Sequence, residues 1–522
     1  MEFFLENQDC KSIQQIEGYY NIIIINNAGS EGYAISDTLC SRTQYLYQYD
    51  SKLGIFPSPI ILNFTKLSCT INRLSLYEQL KTLHSGYNHT FCNELNRVLP
   101  GHIYKFNQTG ELNKIVSTPL RQNINSEISF DEGTKWMYSI CKDAIESTIT
   151  HPKLKDLDVE LPLTAGLDSR HILGQLLESD KKPSKLRHIR LIKEDYEPVK
   201  YMSEKLGIPL NAPDFYDLNF KDLFKLWVER TSGLINIHQF YFLNLTQDIP
   251  KKGAISFNGY LMDKFLGLSV RTKAETEEEL FKAISNKLYS GKTILSSLFI
   301  DYSELKSDLI DYYKSHISDF EGEIWYKAGL HEMSTRGLHY TAIVDSMLAD
   351  DVYSFSPGAT NQSFKFFSTI PREVGGKKKI RLNAMKKYFP HIGGFPDSDG
   401  ISLIDKKERP KTSKSPFKKH FEPFLRYVFS GFKGDPAPET EHAWLRQSKF
   451  IHDIHRKVIY DGHLFKDGIL SQKAAKASWS LHKIGGYQAW TLMSILSAEI
   501  SYQLLVKKID PNSIYDWLGY TE

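Results

Sequence analysis

Val159-Glu160-Leu161-Pro162-Leu163-Thr164-Ala165-Gly166-Leu167-Asp168-Ser169-Arg170 is the stretch whose reading decides the fold. An apolar strand runs into a turn of small residues that carries Asp168 and Ser169, and the pattern predicts a helix from Arg170 to Leu177 directly after it. A strand, a tight turn and a helix start bring backbone N–H groups and the positive end of a helix dipole to one point, which makes a cradle for phosphate. Leu163, Thr164, Ala165, Gly166, Asp168 and Ser169 line that cradle, and the Asp168 carboxylate stands where a phosphate-bound Mg²⁺ needs a hard oxygen ligand. No Gly-Lys-Ser/Thr follows the glycine, so this is not a Walker loop. Taken alone, the stretch reads equally well as a plain strand–turn–helix with an Asp cap. The remainder of the chain supplies the context.

The 522 residues are enough for two or three domains, and the 41% hydrophobic and 24% charged contents are those of an ordinary globular protein. A net charge of +3 gives no global basic field, and runs such as Lys377-Lys378-Lys379 are isolated, so no nucleic-acid partner is expected. Five cysteines at positions 10, 40, 69, 92 and 141 show neither metal-ligand spacing nor a paired pattern, and read as reduced structural thiols in a cytoplasm. Met1 to Glu6 lacks a basic n-region and is not read as a signal peptide. The best apolar run, Tyr19 to Ile25, has the length of a buried strand, so no membrane partner is expected either.

From Gly18 to Lys114, short apolar runs broken by turn residues predict an antiparallel β domain. Its strands are expected at Tyr19–Ile25, Gly32–Asp37, Tyr45–Tyr49, Pro59–Leu62 and Gly101–Phe106, with one helix near Ser75–Leu83. Arg121 to Glu127 reads as a polar linker, giving domains 1–120 and 121–522. Ser129 and Asp131 then cap an amphipathic helix with Trp136, Ile140, Ala144 and Ile145 on its apolar side. Beyond it, strands and helices alternate, the signature of a parallel sheet. Leu186–Ile192 and Ala254–Phe257 are the next strands, and Glu197–Leu206 is a helix closed by Gly207. Helices dominate from Glu275 to Tyr515, apart from a surface loop expected over Lys406–Pro438. The expected fold class is α/β: a truncated antiparallel β domain followed by a parallel-sheet domain rich in helices.

A second loop, Asn258-Gly259-Tyr260-Leu261-Met262-Asp263-Lys264-Phe265-Leu266-Gly267, follows the strand at 254–257. Ligands of doubly wound sheets bind at the carboxyl ends of the strands. Asp168 and Asp263 both lie just past a strand end, and two carboxylates around a triphosphate suit a pair of Mg²⁺ ions. A lysine at the start of the helix after Lys377-Lys378-Lys379 is placed to neutralise charge on a leaving pyrophosphate. The plain alternative for that run is a solvated basic helix end.

In combination these motifs resemble the asparagine synthetase-like family, over roughly residues 130 to 520. Thr164 to Ser169 is similar to the Ser-Gly-Gly-x-Asp-Ser loop of ATP pyrophosphatases, with Thr164 keeping a hydroxyl and Ala165 adding a methyl group. Gly259 to Gly267 resembles the family's Gly-x-x-x-Asp loop. The family's lysine, four residues before an Arg, falls at Lys378, with Leu382 in place of the Arg and Lys377 or Lys379 as alternatives. His463-Leu464-Phe465, His482, Trp490 and Leu492 resemble the helical end of the synthetase domain. The resemblance implies an ATP- and Mg²⁺-dependent ligase with Asp168 and Asp263 as metal ligands, Gly259 at the phosphates and Lys378 on the developing charge. Tyr260 resembles the residue of β-lactam and carbapenam synthetases that, with a Glu from a nearby helix, takes a proton from an amine. Glu332, in Gly329-Leu330-His331-Glu332-Met333-Ser334, is the candidate partner, with Asp345, Asp350 and Asp351 as alternatives; the plain reading of Tyr260 is an aromatic plug at the sheet end.

Gly18 to Tyr47, with Asp37 and Arg42, and Leu99-Pro100-Gly101 resemble the second half of a class II glutamine amidotransferase domain. That family needs a Cys directly after Met1, where this chain has Glu2 and its nearest thiol is Cys10, so no glutaminase activity is expected. The reaction that the resemblance implies adenylates a carboxylate, releases pyrophosphate and joins the acyl group to an amine, with cyclisation within one molecule of a specialised metabolite or modified peptide as the expectation. Three alternatives remain open at this point. They are a lasso-type peptide cyclase with a precursor peptide or pathway partner protein, amidation of a uronic-acid sugar for surface polysaccharide, and a non-catalytic scaffold.

Overall fold

The computed structural model describes residues 16–26, 28–37, 39, 42–50, 52–109, 111–116, 121–191, 193–270, 272–289, 295–405, 441–484 and 488–520. Seven strands come first: β1 Asn21–Ile25, β2 Glu31–Ser36, β3 Tyr45–Tyr49, β4 Lys52–Phe56, β5 Leu95–Arg97, β6 His102–Asn107 and β7 Leu112–Val116. They form two antiparallel sheets, β1-β2-β6-β7 and β4-β3-β5. Alternation along each strand sends Ala34 and Tyr104 from one sheet and Leu46 and Val98 from the other into a shared apolar layer, while Ile35 and Ile103 face the opposite side.

Five more strands make a parallel sheet: β8 Asp158–Pro162, β9 Lys185–Arg187, β10 Leu210–Asn211, β11 Ala254–Phe257 and β12 Tyr353–Phe355. Their order is β10-β9-β8-β11-β12. The chain winds outward from β8 to β10, then returns to the other side of β8 for β11 and β12, so the switch in direction falls between β8 and β11. The two loops singled out from the sequence leave these two strands. The expected parallel α/β domain is therefore present, and the helices Leu167–Glu178 and Lys193–Leu206 make the first two crossovers.

The helix Phe130–Ile149 starts in a capping box, with the Ser129 hydroxyl accepting from the Glu132 N–H and Glu132 accepting from the Ser129 N–H. Met137, Ile140, Cys141, Ile145 and Ile149 form its buried stripe. Two strand expectations need correction. Pro59–Leu62 belongs to a 3₁₀ helix, Pro59–Phe64, since a proline lacks the N–H a sheet ladder requires. The strand expected to run to Ile192 stops at Arg187, and the following helix begins at Lys193, four residues earlier than expected.

The boundary near residue 120 does not separate two independent cores. The Asn123 N–H donates to the Ser368 carbonyl (2.8 Å) and the Asn125 N–H to that of Thr369 (2.9 Å), so this polar stretch is fastened along the second lobe. One continuous apolar cluster runs from Leu39, Tyr47 and Tyr77 in the first lobe through Trp227 to Leu504 in the second. The apolar helical window Ala489–Val506 passes through it, with 89% of the window buried inside the protein. Cys69, Cys92 and Cys141 are buried and unbridged. Glu2, Cys10, Cys40 and the loop expected over Lys406–Pro438 lie outside the described residues.

The face of β8 opposite Val159 and Leu161 carries a buried ion pair between Arg187 and Glu160, and Arg187 also reaches the exposed Asp248. Removing one partner of a buried pair leaves an uncompensated charge. Arg187→Met is expected to lower the stability by about 3 kcal/mol. Glu160→Leu combined with Arg187→Met should recover most of that loss, as read from urea unfolding midpoints.

Candidate functional site

The turn after β8 is closed by hydroxyls. Thr164 Oγ1 and Ser169 Oγ lie 3.0 Å apart, the Thr164 N–H donates to Ser169 Oγ (3.1 Å) and the Gly166 N–H to Thr164 Oγ1 (3.2 Å). This ring holds the turn over the first N–H groups of the helix Leu167–Glu178, which begins without a side-chain cap on Gly166. Leu163 and Ala165 are buried, so the methyl group of Ala165 is accommodated within the fold.

The second loop comes directly against the first. A Cβ placed on Gly259 would lie 2.5 Å from the Asp168 Cβ, so only a glycine lets the two backbones approach this closely. The loop then turns through Leu261, in left-handed backbone at φ +59°, into a short π-helical segment, Met262–Leu266. Asp263 stands in the first turn of that segment, half-buried.

Arg381 joins these parts. It belongs to the helix Lys379–Tyr388, which is anchored by Asn383 Nδ2 donating to Thr134 Oγ1 (3.1 Å). Its side chain is 0% exposed and forms an ion pair with Asp168. Its Cδ lies 3.0 Å from where a Cβ on Gly267, at the end of the second loop, would sit. Nη2 meets Asp168 Oδ1, while Nε and Nη1 have no hydrogen-bond partner among the described residues. A buried guanidinium with two unpartnered donors beside the first N–H groups of a helix makes an anion-receptive centre. Arg170, in the first turn of the same helix as Asp168, is also buried; its Nη1 and Nη2 donate to the Phe395 carbonyl (2.8 Å) and to that of Pro396, while its Nε has no hydrogen-bond partner among the described residues.

Arg381 immediately precedes Leu382, which the sequence reading set at the arginine position of the motif. A lysine four residues before Arg381 is Lys377, whose side chain lies outside the described residues. Lys378 adopts left-handed backbone at φ +64°, and its N–H donates to the Gly267 carbonyl (3.1 Å), so its backbone ties the helix start to the second loop. Its side chain is half-buried and makes no hydrogen bond or ion pair among the described residues; Lys379 is exposed. Nothing local marks Arg381 as buried, since it follows directly on a run of three lysines.

Glu332, the expected partner of Tyr260, has its ion pair with a neighbouring lysine of the second loop. Glu332 ends the helix Ile324–Glu332 and pairs with Lys264, four residues past Tyr260 on the same loop. Tyr260 is 4% exposed and packs in the core, which is the aromatic plug of the plain reading. Of the alternative carboxylates, Asp345 reaches this loop: Asn258 Nδ2 donates to Asp345 Oδ1 (2.6 Å), and Asn258 Oδ1 accepts from the Tyr260 N–H (2.8 Å). Burial pushes the Asp345 carboxyl above its ordinary value. Asp351 is held by Arg230 in two hydrogen bonds of 2.8 Å, and Asp350 is exposed. No three His, Cys, Asp or Glu side chains among the described residues are arranged to hold a metal ion by themselves.

His171 packs edge-on to the Phe389 ring (5.3 Å, 88°), and neither ring nitrogen has a hydrogen-bond partner among the described residues. Burial, reinforced by the charge of Arg381, pushes its pKa down to about 3. The unfolded chain titrates this group near pH 6.5, so between the two values the unfolded state holds more protons. Stability contributed by neutral His171 is complete above about pH 6.5 and is lost as pH falls toward 3, with a limiting slope of about 1.4 kcal/mol per pH unit. His171→Leu is expected to flatten the fall in unfolding free energy between pH 6 and pH 4 relative to the parent protein. No protein-family model and no curated protein matches this chain.

Proposed function

We propose that the protein is an ATP-dependent carbon–nitrogen ligase that adenylates a substrate carboxylate and transfers the acyl group to an amine, as in the asparagine synthetase-like proteins it resembles. One observation carries this reading: at the switch point between β8 and β11, Gly259 packs its backbone on Asp168 while buried Arg381 pairs with the same carboxylate. Strand order, turn, helix start and unused guanidinium donors all suit a polyphosphate.

In this reading a substrate carboxylate oxygen attacks the α-phosphorus of ATP, the bond to the bridging oxygen of the β-phosphate breaks, and pyrophosphate leaves. The amine nitrogen then attacks the acyl carbon, gives up a proton, and AMP departs. The N–H groups at Leu167 to Ser169 hold the pyrophosphate oxygens, and Arg381 offsets their charge. Lys378, or Lys377 beside it, supplies a second cation from the helix start. Mg²⁺ is commonly held by one or two carboxylates together with substrate phosphates. Asp168 and Asp263 are the carboxylates these loops carry, and a bound ion would take its remaining oxygens from the triphosphate and water. Its chemistry would be the neutralisation of phosphate charge.

A non-catalytic nucleotide-binding scaffold is the second reading, favoured by the ion pair that occupies Asp168. The test is ³¹P NMR of ATP and Mg²⁺ incubated with the protein and a metabolite extract of its host. AMP and pyrophosphate, lost in Asp168→Asn, are expected. ADP with phosphate would reject adenylation, and tight binding without turnover across fractionated extracts would favour the scaffold. Separately, Gly259→Val is expected to weaken ATP·Mg²⁺ binding at least ten-fold by calorimetry, because its side chain would displace Asp168.

A further inference from the structure

The second loop is held from outside its own lobe. Asp345, 3% exposed, accepts through Oδ1 from Asn258 Nδ2 and from Ser354 Oγ, both at 2.6 Å. Its carbonyl accepts from Arg42 Nη1 (3.4 Å), and Arg42 Nη2 donates to the Ser354 carbonyl (3.3 Å). On the other side of the loop, the Tyr260 carbonyl accepts from Ser356 Oγ (2.5 Å), and the Ser356 carbonyl accepts from the Tyr19 hydroxyl (2.9 Å). The Arg42 guanidinium lies 5.7 Å from the centre of the Tyr19 ring, so the two arms meet in the first lobe. A Cβ on Gly358 would fall 2.3 Å from the Tyr260 carbonyl oxygen, which shows how tightly the segment after β12 clasps the loop.

The circuit Arg42–Asp345–Asn258–Tyr260–Ser356–Tyr19 closes on itself. Every member is a polar group at the carboxyl ends of β11 and β12, and two of the six come from the first lobe. We infer that Asp345 and Arg42 are positioning residues, through which the first lobe sets the conformation of the loop 258–262 at the candidate site. The first lobe thereby acts on the site without contributing a group to it. Polar networks of this kind fix one geometry when every member is satisfied, and they loosen when one link is cut. The inference concerns a loop that the ligase reading places against Asp168, but its test reads backbone exchange and stands or falls without that reading.

Amide hydrogen exchange of the full chain, followed by mass spectrometry, reports the Tyr260 N–H through peptides covering 258–262. Arg42→Met and Asp345→Leu are each expected to speed exchange there about ten-fold, with peptides covering 163–169 unchanged. Asp345→Asn keeps an acceptor oxygen at the same place and is expected to restore the parent rate, a rescue that loss of packing alone would not give. Tyr19→Phe removes only a hydroxyl and covers the case in which a larger change prevents folding; it is expected to speed exchange in the same peptides several-fold. Parent-like exchange at 258–262 in folded Arg42→Met and Tyr19→Phe would overturn the inference, as would an equal rise throughout the chain.

Discussion

The ion pair between Arg381 and Asp168 is the contact on which the arrangement of the site depends. It joins three pieces of chain far apart in sequence: the turn after β8, the end of the loop after β11 near Gly267, and the helix Lys379–Tyr388. Burying a guanidinium is costly unless a charge answers it. The helix is therefore not free to settle elsewhere along the sheet: its register is fixed by where Asp168 stands. Asp168 in turn is fixed by the hydroxyl ring of Thr164 and Ser169 and by the absence of a side chain on Gly259. Small residues at 164–166 and a glycine at 259 are thus requirements of the same close approach.

Around this centre, the charges at the carboxyl ends of the sheet are mostly spent on one another. Glu332 meets Lys264, and Asp345 takes hydrogen bonds from Asn258 and Ser354. Arg381 is fully buried and answers Asp168, while its Nε and Nη1 have no hydrogen-bond partner among the described residues. That contrast is what directs attention to the turn after β8 as the place for an anionic ligand.

Much of this was legible in the sequence because local chemistry dictates it. The Ser129 cap, the strand at 254–257 and the strand–turn–helix at 159–178 each follow from residues next to one another, and each is present. The pairings across the site were not legible in the same way. Glu332 on Lys264 and Asp345 on Asn258 depend on how helices from residues 324 to 348 lie over the sheet, which no local pattern records. Segment 333–341 is π-helical, and its wider turn alters which side chains face the loop, so counting helical turns from Glu332 misleads. The strand misread at Pro59–Leu62 has the opposite cause: its apolar residues suit a strand, but a single proline overrules them.

The continuous apolar cluster shared by the two lobes bears on how such a chain can change over evolutionary time. A lobe with its own core can be deleted or exchanged as a unit, whereas here a break near residue 120 would bare Leu39, Tyr47 and Tyr77 on one side and their apolar neighbours on the other. Selection can strip the first lobe of any chemistry residue by residue, yet cannot discard it whole without finding a new cover for the second. The shared core therefore ties the first lobe to the second by packing, in addition to the polar network through Arg42 and Tyr19.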